Sequence, residues 1–159
     1  MRRTILLSTV VPLVLMLTAQ PAAAGGPPVP AEGSITWNEF FYDGPRLAGP
    51  NTHISGREGS VWTGTFVGTA TDTFFAFSLV NGTLGAQFWF TFEGAVGDAE
   101  GTLDMRMTYW SRSDGAGGRW VIIGGTGGLA GLHGCGTWTI TGGTETEAYG
   151  DYSGQMLFS

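Results

Sequence analysis

The sequence has no lysine, one cysteine and two histidines in 159 residues. Each shortage removes a class of chemistry. Without lysine no Walker-type phosphate loop can be completed. The single cysteine, Cys135, excludes an intrachain disulfide framework, so stability in an oxidising compartment has to come from packing. Cys135 itself reads as a small buried hydrophobe, with a nucleophile or an intermolecular bridge as the alternatives. With only His53 and His133, no cysteine cluster and no HExxH, zinc ligands would have to be gathered from scattered positions. Neither a metal nor a cofactor is expected. Positive charge is scarce as well: beyond residue 24 five arginines face 13 acidic residues, a formal charge of about −8. A surface of that sign repels phosphate backbones and anionic membrane surfaces, and nucleic acid is not an expected partner.

Long apolar runs are also missing. Residues 5–17 are the longest such stretch, interrupted by Pro12 and small polar residues, and too short for a comfortable membrane span. Met1-Arg2-Arg3 before this run and Ala22-Ala23-Ala24 after it give the layout of a secretory signal peptide. The expectation is cleavage after Ala24 and a secreted, periplasmic or extracellular protein. Residues 25–32 (GGPPVPAE) read as a Gly/Pro-rich leader, leaving 33–159 for one domain.

That domain is written in strands. Thr, Val, Ile, Phe, Tyr and Trp fill the segments between glycines, and turn signals recur at intervals of about ten residues. The pattern predicts strands over 34–42, 60–69, 71–80, 83–95, 101–112, 119–123, 132–141 and 148–158, with 53–58 as a weaker segment and 43–52 as a loop. Asn81-Gly82 marks a tight hairpin. The clearest alternation sets Leu103, Met105, Met107 and Tyr109 against Asp104, Arg106, Thr108 and Trp110, although aromatics on both faces leave the inward one undecided. About eight antiparallel strands with short turns close into a small barrel, all-β and single-domain, whose interior holds side chains or one small ligand. Many of the 28 glycines sit inside strands, as sharp coiling and close backbone approach require.

Gly125-Thr126-Gly127-Gly128-Leu129-Ala130 satisfies the dinucleotide pattern G-x-G-x-x-G/A. Such a site needs the glycine turn to feed a helix whose N-terminal amides hold the pyrophosphate. Here Gly131, Gly134 and Gly136 and the β-branched Thr137, Thr139 and Ile140 forbid a long helix, so the segment is a bend between strands. In that context Trp120, Gly124-Gly125-Thr126-Gly127, Leu129, Gly131-Leu132, Gly134 and Gly136, followed by Tyr152-Ser153-Gly154 and Leu157-Phe158, resemble the C-terminal signature of the DUF3224 family. They are more distantly similar to allene oxide cyclase and dirigent proteins. Phe92-x-Gly94 and Glu100-Gly101-Thr102-Leu103 also resemble the DUF3224 pattern. The resemblance implies a calycin-like antiparallel barrel of the allene oxide cyclase type and fixes no activity.

A ligand in such a barrel would sit at its mouth, among apolar walls and few polar groups. The candidate ligand-binding residues are Glu39, Asp104, Arg106, Trp110 and His133. Asp104 and Arg106 are same-face neighbours beside Trp110, either a buried pair that orients a ligand or a solvated outer face. Glu39 falls in line with Ile35, Trp37 and Phe41, and is either a carboxyl among aromatics with a raised pKa or an exposed residue near the end of its strand. His133, beside the glycine bend, is either a proton carrier or a structural hydrogen-bond partner. The six tryptophans fill the core or line a pocket for an aromatic or sugar ligand. The leading expectation is a barrel that binds a small apolar or aromatic molecule; the alternatives are a cyclase- or isomerase-like enzyme and a self-associating extracellular protein. Outward aromatics at Phe75, Phe77 or Trp62 would favour a homo-oligomer.

Overall fold

Period-two alternation runs through every long strand, and burial follows it. In β4 (Phe66–Ser78) the side chains of Phe66, Ala70, Asp72, Phe74 and Ala76 are buried while their neighbours face out. Ala86, Phe88, Phe90 and Phe92 do the same in β5 (Leu84–Val96). The computed structural model describes residues 26–113, 115–144 and 146–159. The remaining strands are β1 (Val29–Tyr42), β2 (Arg46–Ala48), β3 (Asn51–Gly64), β6 (Ala99–Arg112), β7 (Gly115–Gly125), β8 (Leu132–Gly143) and β9 (Ala148–Phe158). Every pairing is antiparallel, in the order β1-β9-β8-β7-β6-β5-β4-β3. Pairing of β1 with β3 closes these eight strands into a barrel, and β2 adds a small hairpin to the outer end of β3. The expected eight-stranded all-β barrel is what the chain forms. The signal peptide expected at 1–24 lies outside the described residues.

The expected loop 43–52 holds β2 and the first residues of β3, and the strand expected over 119–123 extends to Gly115–Gly125; three further departures from the sequence pattern have a local cause. β1 begins at Val29, because residues 29–32 hydrogen-bond to β9 and take up part of the Gly/Pro-rich segment. The single strand expected over 60–69 is two: the chain reverses at Gly64, whose φ of +99° only glycine adopts without strain, and Thr65. The Tyr152 hydroxyl pins that turn from across the barrel, accepting the Phe66 N–H at 2.9 Å and donating to the Thr63 carbonyl at 3.1 Å. The third departure is a bulge in β1 between Trp37 and Glu39, which shifts the phase of the strand.

The bend at 126–131 is a single 3₁₀ turn, Gly127–Leu129, between β7 and β8. Its Leu129 is fully buried and plugs one end of the barrel, so these glycines serve backbone geometry. Above that plug Trp62 meets Phe66, Phe90 and Phe92 edge-on and leans on Tyr152, while Leu103, Met105 and Trp120 fill the rest. Each such side chain withdrawn from water stabilises the fold by about 1.5–3 kcal/mol. The Trp120 ring packs against Gly136 and Gly154. A Cβ at Gly154 would stand 2.5 Å from its Cζ2 and 2.4 Å from the Cys135 carbonyl oxygen. Gly154→Ala is therefore expected to cost about 1–3 kcal/mol through overpacking. Thermal melts check this, and an unchanged midpoint would contradict the packing described.

Candidate functional site

The opposite end of the barrel is not filled. Inward positions there carry Ala76, Ala86 and Ala148, and the space they leave is a cavity of about 390 Å³. That is at the small end of the range for small-molecule sites, roughly 300–1,000 Å³. Half of its lining residues are aromatic, in two groups of neighbouring rings. Trp37 leans on Trp138 at 5.3 Å, Tyr109 stacks on Trp138 at 5.6 Å, Tyr42 stands edge-on to Phe74 at 5.8 Å, and Phe74 touches Phe88 at 5.6 Å. Phe90 and Met107 lie deeper, next to the packed half. The bulge in β1 matters here: beyond it Phe40 and Tyr42, and not Glu39, take the inward positions and line the mouth.

One acidic residue, Glu58, lines this cavity, and no arginine or histidine does so among the described residues. Glu58 on β3 is the register partner of Asp72 on β4, so the two carboxyls sit side by side on the inner surface. Asp72 is only 4% exposed, and neither of its carboxyl oxygens has a hydrogen-bond partner. Its other register partner, Phe90, also lines the cavity. Burial pushes the Glu58 carboxyl up to about 7, and burial together with the negative charge of Glu58 pushes Asp72 up to about 8. The Tyr42 phenol is raised as well, by burial and then by Glu58. Near neutral pH the pair thus holds protons that surface carboxyls have lost, and it can give or take one inside an apolar chamber.

None of the five candidates drawn from the sequence lines the cavity. Glu39 is exposed on the outer surface, moved out of line with Trp37 by the bulge. Asp104 and Arg106 also face outward, with Asp104 accepting from the Thr91 hydroxyl at 3.4 Å, while Leu103, Met105 and Met107 are buried. The solvated outer face is therefore the arrangement observed. Trp110 is 41% exposed, and His133 contacts the Ser159 hydroxyl at 3.2 Å on the surface. Cys135, expected inside, is exposed, because Gly134 and Gly136 take the inward positions on β8. Of the outward aromatics expected, Phe75 is exposed, but Trp62 is at the centre of the core. The signal that could have found the pair was the phase of β4: Asp72 falls in register with Ala70, Phe74 and Ala76. Placing Glu58 beside it required knowing that the chain turns at Gly64.

Solved structures with this architecture are known. The protein of unknown function from the DUF3224 family of Shewanella oneidensis MR-1 superposes with a TM-score of 0.60 at 14% identity, over 84% of this chain and 98% of that one. The chain has the fold of DUF3224 and dirigent-type barrels. Two pterocarpan synthase dirigent proteins, GePTS1 and PsPTS1, superpose with TM-scores of 0.56 and 0.54 at 11% and 12% identity. They cover 83% and 82% of this chain and 90% and 95% of their own. No family model matches the sequence, and no curated protein does. At these identities the likeness is one of fold.

The buried acid has a consequence for stability. Folded Asp72 keeps its proton up to about pH 8, whereas its ordinary value is 3.8. Between these limits the folded state binds the extra proton, so stability falls as pH rises. Asp72→Asn removes that proton linkage. Denaturant unfolding of the variant is expected to show a shallower decline from about pH 4 to 8 and higher stability at about pH 8. Equal slopes in the two proteins would contradict the burial of an unpartnered acid.

Proposed function

We propose that this protein is a secreted barrel that binds one small apolar or aromatic molecule in the open half of its interior. The cavity walled by Trp37, Phe40, Tyr42, Phe74, Tyr109 and Trp138 carries the proposal. Aromatic side chains offer flat apolar faces with little rotamer entropy to lose, and the three alanines leave the volume for a guest. Secretion rests on the layout of residues 1–24. A neutral hydrophobic fluorophore such as phenylnaphthylamine tests the binding. It should bind near stoichiometrically and quench tryptophan emission through Trp37 and Trp138, and Ala86→Trp, which fills the chamber, should abolish both effects. Equal binding to the two proteins would place the probe elsewhere and overturn the proposal.

One observation favours a second role for the same chamber. A carboxyl of pKa about 7 facing an apolar space is suited to general acid–base catalysis at neutral pH, as an isomerase or cyclase requires. In that role Glu58 would relay a proton on the bound molecule, with Asp72 as its neighbouring store. Turnover of epoxide or phenolic substrates should then be lost in Glu58→Gln, while binding of the neutral fluorophore persists. Turnover that survives in Glu58→Gln would remove this role.

A further inference from the structure

The chamber has an electrostatic asymmetry that binding of a purely apolar guest leaves unused. Two carboxyls adjoin its lining, none of the lining residues is basic, and Asp72 keeps two acceptor oxygens without a donor. A buried acceptor without a partner destabilises the fold, the more so when charged, so the site is suited to a guest that brings hydrogen-bond donors and positive charge. The aromatic faces of Phe40, Tyr42 and Phe74 stand at the same end as Glu58 and can attract a cation through their π systems. The formal charge of the whole chain, −6, acts in the same direction.

We propose that the cavity takes an aromatic or aliphatic molecule bearing one protonated amine, its ammonium seated on the Glu58 carboxylate and its apolar body against Trp37, Phe88 and Trp138. This rests on the small-molecule reading above and specifies the ligand's charge. Asp72, beside Glu58 on the neighbouring strand, is the second carboxyl next to that seat. An anionic ligand meets like charge there, and a neutral one gains only the donor of a protonated Glu58. Binding of the amine displaces a proton from the carboxyl pair, so affinity rises as pH increases and the pair ionises, until the amine itself loses its charge near the lysine range of about 10.

The groups facing the pair do not reverse this sign. From β1 the mouth presents Phe40 and the Tyr42 phenol, which stays protonated in this range, and from β6 it presents Met107 and the Tyr109 phenol. Strands β5 and β8 contribute Phe88, Phe90 and Trp138, none of which ionises. From β9 come Ala148 and, deeper, Tyr152, whose hydroxyl is engaged at the β3–β4 turn and whose pKa is raised by burial. Glu39 is exposed outside, and Arg57, next to Glu58 in the chain, lies on the outer side over the Phe41 ring at 4.9 Å.

Calorimetric titration with naphthylethylamine, the neutral naphthylethanol and the anionic naphthylacetic acid tests the proposal on one scaffold. The amine should bind at least about tenfold more tightly than the alcohol at about pH 8, the gap should narrow at about pH 6, and the acid should bind most weakly. Glu58→Gln should bring the amine to the level of the alcohol and leave the alcohol bound, with a thermal melt confirming that the variant is folded. Equal affinity for amine and alcohol at both pH values, or a preference untouched by Glu58→Gln, overturns the charge assignment and leaves the apolar-ligand reading standing. If none of the three binds while the neutral fluorophore does, the amine proposal fails alone. If the fluorophore fails as well, both fall.

Discussion

Closure of the sheet through β1, which pairs with β9 along one edge and β3 along the other, is the constraint on which everything else depends. A closed barrel removes free edges and fixes which side chains face each other across the interior. Once closed, its contents follow from the size of the inward residues at each level. Trp62, Phe66, Phe92, Trp120 and Leu129 saturate one half. Ala76, Ala86 and Ala148 leave the other half open. The same eight strands thus carry a rigid core and a chamber, and the core fixes the strands on which the chamber is built.

The acidic pair sits where those halves meet. Two carboxyls side by side with a low-dielectric wall around them are a poor choice for stability, since replacing buried ionisable groups with apolar ones is often neutral or stabilising. Their presence in a largely apolar interior is the kind of local conflict found at functional sites. It also links the two halves physically. Asp72 lies in the same inward row as Phe66 and Ala70 of the packed half and Phe74 and Ala76 of the open one, so the strand that anchors the core also positions the acid.

Much of the architecture was legible in the chain, because it depends on local pattern. Alternation in 103–109 identified the inner face of β6 as one of two alternatives, and the β-branched residues after Gly131 ruled out a nucleotide-binding helix. The site was not legible for a related reason: it depends on register. A bulge in β1 between Trp37 and Glu39 takes Glu39 out of the inner row of Ile35 and Trp37, leaving it exposed, and brings Phe40 and Tyr42 in. A glycine turn hidden inside an apparently continuous strand concealed the alignment of Glu58 with Asp72. The glycine-rich bend that signals the fold lies at the plugged end with Leu129, remote in function from the cavity, so the strongest sequence motif reports architecture and not ligand.

Glu58 and Asp72 form an interior pair that remains protonated into the neutral range, with Glu58 facing the cavity. The most direct measurement is a pH titration of the side-chain carboxyl carbons of both residues by NMR. Transitions near pH 7 for Glu58 and near pH 8 for Asp72, with that of Asp72 lowered but still above the ordinary carboxylate range in Glu58→Gln because burial remains, are the predicted result. Independent titration of both groups below about pH 5 in the native chain would contradict the account.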